Sequence, residues 1–149
     1  MDVKDLDKEF LYVSSLSSGI GSNDIGLDRG QLGGERVVKF IKTGNKLLLV
    51  QPNQDYRALT DNALERASIE QAFAKSVLFG FPIKEENKGV YTIDLTPFLM
   101  QDTHGVANRL RGSREGSYSL DKSKSAMWLP RTKAFPKNIE FDVLLTFKG

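Results

Sequence analysis

Apolar and polar residues alternate from Ile139 to Phe147, with Ile139, Phe141, Val143, Leu145 and Phe147 in phase. A period of two places these five on one face of a strand, and the mostly polar second face suits an outer surface. Phe10-Leu11-Tyr12-Val13 reads as the first strand, because it is rich in aromatic and β-branched residues. Glu35 to Lys42 and Lys46 to Gln51 are apolar runs joined by Thr43-Gly44-Asn45, a turn of the kind that closes hairpins. Val37, Val38, Phe40, Ile41 and Leu47 to Val50 are apolar on both faces, which predicts a central hairpin covered on both sides. Val77 to Ile83 predicts a further strand, with Gly80 or Pro82 marking a bulge or an edge. Lys84 to Gly89 then reads as a charged turn, and Val90 to Leu95 as the partner strand.

Helical signals are fewer. Asn62 followed by Glu65 three residues later is a capping-box pattern. Ile69, Ala72, Phe73 and Val77 recur at helical spacing beyond it, so the expectation is one main helix over about 62–76 with a stripe that packs as core. Thr96-Pro97 reads as a helix start with threonine as the cap, and Phe98 to Met100 and Val106 to Leu110 as short helical pieces interrupted near Gly105. Tyr118 to Leu120 predicts a short strand, Asp121 to Trp128 a polar turn, and Pro130 and Pro136 bracket an irregular connection. No internal repeat is visible. These elements predict an α+β fold: a largely antiparallel sheet, one main helix and short helical segments.

The chain has 149 residues, which suits a single domain over 1–149 with Met1 to Glu9 as a flexible, charged lead-in. Its composition, 40% hydrophobic and 27% charged, is that of an ordinary globular protein. No apolar run approaches the roughly 20 residues of a membrane span, and Met1 to Phe10 is too charged for a signal peptide. Cysteine is absent, which excludes disulfides and thiolate chemistry.

Candidate chemistry centres on Ser14 to Gly34, where six glycines fall between Gly19 and Gly34. A stretch this long without periodicity is characteristic of binding or mobile loops. Gly19-Ile20-Gly21 follows a strand, but a dinucleotide fingerprint needs a third glycine at position 24, which is Asp, and a helix opening there. Asp24 and Asp28 fail the spacing of a calcium loop. Asn23, Asp24, Asp28 and Arg29 are left as candidates for binding or interdomain contact. Their alternative role is local, with Asn23 and Asp24 stabilising turns and Arg29 pairing with an aspartate.

His104 is the sole histidine, so no metal site of two histidines can form, and no serine lies in a nucleophile elbow. A structural or surface role is the first reading for it, with binding or interdomain contact as the second. Between Arg109 and Lys137 there are eight basic and two acidic residues, against a whole-chain net charge of +2. Tyr118, Trp128 and Phe135 lie in the same region. The basic residues are spread through loops rather than along one helix face, which argues for a solvated surface or an acidic neighbour over nucleic acid.

Several of these runs together resemble a known family. Phe10 to Val13, Gly19-Ile20-Gly21-Ser22-Asn23-Asp24-Ile25-Gly26-Leu27-Asp28-Arg29-Gly30, Arg36 to Phe40 and Leu48 to Asn53 are similar to the N-terminal accessory domain of large bacterial zinc-dependent metalloproteases. Asp102 to Ala107, Ser117 to Asp121 and Ala134 to Glu140 extend the likeness from about Phe10 to Phe147. The resemblance implies a region long described as a domain of unknown function, excised from an exported multidomain protein. Its catalytic domain would carry an H-E-x-x-H zinc helix. That motif is absent here, so no catalytic residue or metal ligand carries over, and zinc belongs to the parent's catalytic domain. The implied partner is that domain, with the parent's peptide substrate as a second. An independent module that binds peptide or polysaccharide through Tyr12, Tyr118 and Trp128 is the alternative.

Overall fold

The computed structural model describes residues 1–19, 25–52, 62–65, 68 and 75–149. It divides into two compact units, one of Met1–Tyr12 and Arg36–Asp94, the other of Val13–Glu35 and Leu95–Gly149.

The first unit is built on a six-stranded sheet. Its strands are β1 (Asp2–Val3), β2 (Phe10–Ser15), β3 (Leu32–Thr43), β4 (Lys46–Gln51), β5 (Ser76–Asn87) and β6 (Val90–Ile93), in the order β1-β6-β5-β4-β3-β2. β4 lies between β3 and β5, as the apolar runs predicted. Thr43 pairs with Lys46, so Gly44 and Asn45 form the turn, with Gly44 at a φ of 57°. Val38, Phe40, Leu47 and Leu49 are buried on one face, and Val50 is buried beside half-buried Val37, Ile41 and Leu48 on the other, so both faces of the hairpin are covered.

β5 changes partner along its length. Ser76 to Pro82 pair with β4, and Ile83 to Asn87 pair with β6. Pro82, which has no N–H to donate, sits at the handover, where a missing ladder bond does least harm. The bulges fall at Leu78 and Lys84 instead of Gly80 or Pro82. The expected turn over Lys84 to Gly89 is also shorter. Asn87 pairs with Val90, leaving Lys88 and Gly89 at φ of 48° and 78°, the two positive values that a tight hairpin turn of matching twist requires. The core is aromatic: Phe81 is fully buried, 4.8 Å from Phe79 and edge-on to Phe40 at 6.0 Å, and Phe10 stacks on Phe40 at 5.6 Å.

The expected lead-in is part of this sheet. Val3 is buried, Asp2 and Val3 pair with Thr92 and Tyr91, and the Thr92 hydroxyl donates to Asp2 at 2.8 Å. One valine within a charged run is enough to anchor the segment by burial. The main helix is present at 63–65 and 68, and the Asn62 side chain caps it by accepting from the Leu64 N–H at 3.0 Å. It ends before 76, because Ser76 already begins β5 and Val77, assigned to the helical stripe, is a strand residue 53% exposed. Ile69, Ala72 and Phe73 lie outside the described residues.

The second unit contains α1 (Thr96–Leu99), α2 (Val106–Gly112) and a long two-stranded ribbon. Leu95, not Thr96, is the N-cap of α1, with Pro97 at the second helical position. In the ribbon, β7 (Ser119–Leu120) pairs with β12 (Phe147–Lys148), β8 (Ala126–Met127) with β11 (Val143–Leu144), and β9 (Lys133–Ala134) with β10 (Ile139–Glu140). The alternating run 139–147 is therefore three short rungs, not one strand.

The rungs repeat. Between them the outgoing chain inserts a 3-10 turn, Lys122–Lys124 and then Leu129–Arg131, and each time the ladder resumes three residues out of step with the return chain. Asp121, Trp128 and Phe135 take equivalent places, donating their N–H to the carbonyls of Thr146, Asp142 and Asn138 at 2.7, 2.7 and 2.8 Å. Both turns end on a hydroxyl that bridges the strands. Ser125 Oγ donates to the Asp121 carbonyl and accepts from Thr146 N–H, and Thr132 Oγ1 does the same between Trp128 and Asp142. The sequence shows no such repeat because backbone pairing and one hydroxyl per step are all it conserves. Overall the expectation of an α+β, largely antiparallel protein fits in outline, with strand well in excess of helix.

Candidate functional site

The described part of the glycine stretch contributes to the core of the second unit. Ile25 and Leu27 are 5% and 3% exposed and pack with Val106 of α2, while Leu16, Leu110 and Phe147 close the cluster. Arg109 of α2 fastens the same segment, its Nη1 donating to the carbonyls of Ile25 and Gly26, both at 3.3 Å. One guanidinium nitrogen can do this because it carries two N–H donors. In the sequence Arg109 is one of eight basic residues between positions 109 and 137. Its role is set by a contact more than eighty residues away, which no local pattern signals.

Ser14, Gly33 and His104 converge in the same unit. A Cβ on Gly33 would collide with the Ser14 hydroxyl, and would lie 3.2 Å from the Ser14 carbonyl and 3.3 Å from His104 Cε1. Gly33 is thus a close-approach glycine, needed for the space it leaves. His104 is half-buried, packed in the loop that precedes α2. The carboxylate nearest in sequence is occupied elsewhere: Asp102 accepts from the Val106 N–H at 2.7 Å and the Ala107 N–H at 3.0 Å, satisfying two of the amides that open α2. An aspartate just ahead of a helical segment is a capping signal that the sequence itself carries. With both Asp102 oxygens so engaged, the group is arranged as packing and capping.

Asp28 and Arg29 are both exposed. The Asp28 N–H donates to Gln31 Oε1 at 3.2 Å and its carbonyl accepts from Gln31 N–H at 3.2 Å, a local turn. Arg29 makes no ion pair among the described residues, so the expected aspartate partner is not found there. Asn23 and Asp24 lie outside the described residues. Of the three candidates described, His104 belongs to the packed group, and Asp28 and Arg29 to an exposed turn.

The second candidate surface is the ribbon. Trp128, Leu129, Phe135, Ile139 and Leu144 are 48%, 71%, 46%, 51% and 58% exposed. Lys122, Lys124, Arg131, Lys133 and Lys137 are exposed in the same element and enter no ion pair among the described residues. Of the three aromatic residues proposed for stacking, Trp128 is exposed, whereas Tyr12 and Tyr118 are half-buried, Tyr118 lying against Gly116 and Gly149. Asp121, the one polar side chain among the buried residues described, anchors the ribbon's first turn. Its carboxylate accepts from the Ser123 hydroxyl at 2.6 Å and the Ser123 N–H at 3.1 Å. The Ser123 hydroxyl holds its pKa below the usual aspartate value, with the Ser123 amide and the Lys148 charge adding to the effect.

Among the described residues no group of three or more His, Asp or Glu side chains is placed to hold a metal ion. No described helix is long and apolar enough to cross a membrane. Neither a protein of curated function nor a solved structure matches the chain. One family does, over residues 30–149, a span that takes in β3, the first unit's sheet beyond it, the Asp102 cap and the whole ribbon. The chain therefore belongs to the family described as Domain of unknown function (DUF5117).

Proposed function

We propose that this chain is a non-catalytic accessory domain of an exported zinc metallopeptidase, working beside a separate catalytic domain of the same parent protein. The observation that carries the reading is that the sole histidine and two aspartates among the described residues are committed to structure. The sole histidine packs at Gly33, Asp102 caps α2, and Asp121 anchors a turn. The likeness to metalloprotease accessory domains from Phe10 to Phe147 supplies the context. In this role the domain supports the catalytic domain and completes its substrate cleft, with the zinc held by the partner.

The test is to express the parent protein with and without these residues and to measure peptidase activity and thermal stability. The accessory role predicts a loss of one or both on deletion. Full activity and unchanged stability in the deleted form would sink it. Arg29→Ala refines the test. Its exposed side chain should matter to association with the catalytic domain and leave the melting temperature of the isolated chain unchanged.

The exposure of Trp128 favours a second reading, an autonomous module for peptide or polysaccharide. An affinity that survives in the isolated chain on a glycan and peptide array separates it from the first.

A further inference from the structure

The hairpin end of the ribbon is open to solvent on both of its faces. From Trp128 to Glu140 every residue except Thr132 is exposed. Paired residues of an antiparallel ladder share a face and successive ones alternate. Lys133 with Glu140 and Phe135 with Asn138 therefore mark one face, and Ala134 with Ile139 the other. Phe135 and Ile139 are 46% and 51% exposed, so each face carries a large apolar side chain, and Trp128 and Leu129 stand in the turn just behind them. Single exposed apolar residues are ordinary, but four within residues 128–139 of one hairpin end offer apolar surface on both of its faces. Arg131, Lys133 and Lys137 lie among them, and the one acid in the stretch, Glu140, lies opposite Lys133, so three basic residues less one acid leave a net charge of +2.

We propose that this hairpin end binds an anionic lipid surface at the level of the headgroups. Trp128, Leu129, Phe135 and Ile139 enter the boundary of the acyl region, while Arg131, Lys133 and Lys137 meet lipid phosphates. Three features favour a lipid surface over a protein partner. A protein face covers one side of a ribbon, whereas a fluid interface surrounds the tip and covers both. Lysine is depleted at protein interfaces and drawn to anionic leaflets, whereas Trp128, Phe135 and Arg131 suit either kind of surface. The backbone is well prepared for partial desolvation, because Pro130 and Pro136 have no N–H, and the amides of Arg131, Thr132 and Phe135 are bonded within the ribbon. Binding stays interfacial, since the outer edges of a two-stranded ribbon cannot be satisfied in hydrocarbon. This activity is independent of the accessory role proposed above.

Trp128 is the only tryptophan in the chain, so its fluorescence reports the contact directly. The chain is mixed with vesicles of phosphatidylcholine alone, and with vesicles that also contain phosphatidylglycerol. Binding predicts a blue shift of the emission and co-sedimentation with the anionic vesicles only, both weakened by salt. The double variant K133Q/K137Q should keep the melting temperature and bind those vesicles at least about tenfold more weakly, from the contribution of each basic residue near a charged leaflet. F135S should sediment less and shift less. Unshifted emission with the protein left in the supernatant overturns the proposal. So does co-sedimentation that K133Q/K137Q does not weaken, or a Trp128 shift produced by polyglutamate and not by vesicles.

Discussion

Ser125 and Thr132 hold the same position one step apart in the ribbon. Each hydroxyl closes a 3-10 turn by donating to the carbonyl four residues back, at 2.7 and 3.1 Å, and bridges to the return strand by accepting an N–H at 3.0 and 3.2 Å. Removing either hydroxyl strips one carbonyl of a donor and leaves one partly buried amide without its acceptor. Ser125→Ala and Thr132→Val are each expected to destabilise by about 1–3 kcal/mol, while Thr132→Ser stays close to the parent. Denaturant midpoints at equal slope measure the difference. Wild-type midpoints in both non-hydroxyl variants would mean that the backbone pairing needs no bridge.

Gly33 faces Ser14 and His104 with no room for a methyl group. Gly33→Ala should cost about 1–3 kcal/mol through overpacking. Ser14→Ala takes away the hydroxyl that a new Cβ would strike first, so part of the cost should return in the double variant. A thermodynamic cycle over the two sites reads this coupling. Strict additivity would show that the strand shifts freely instead.

Arg109 ties α2 to the Ile25 and Gly26 carbonyls. Arg109→Ala is expected to cost about 1–3 kcal/mol, the range for bonds from a charged group, and to speed amide exchange at Leu27 and Asp28 beyond the general loss. Arg109→Lys should recover only part of it, because the flexible lysine stem loses more freedom per bond formed than the planar, pre-organised guanidinium. Exchange rates that rise equally throughout the second unit would count against a local tether.

Asp121 links stability to acid. Its folded pKa lies below the unfolded value, so its contribution is complete above about pH 4–5 and is lost as pH falls through the lowered folded value. Asp121→Asn should therefore be less stable than the parent at neutral pH, with the gap closing only in strong acid. Melting curves from pH 7 down to pH 2 test the sign; a gap that is constant across this range would assign the loss to hydrogen bonding alone.

Local chemistry determines much of the first unit. The Thr43-Gly44-Asn45 turn, the central apolar strands and the Asn62 cap depend on neighbours within a few residues, and they stand where periodicity and turn residues place them. The Val106 to Leu110 helix is of the same kind. Features that depend on distant partners were not legible. The glycine stretch reads as an open loop, yet Ile25 and Leu27 are core because α2 and Phe147 supply the other side of their packing. The lead-in joins the sheet because β6 offers Val3 an edge to bury against. The run from Ile139 to Phe147 alternates like a single strand, but two inserted turns on the facing chain cut it into three rungs. Alternation and composition record which residues prefer to be covered, and they place apolar and basic side chains together in the ribbon. Which of those residues find cover, and that Phe135 and Ile139 end up bare on opposite faces of one hairpin end, was decided by the register of chain segments that lie far apart in sequence.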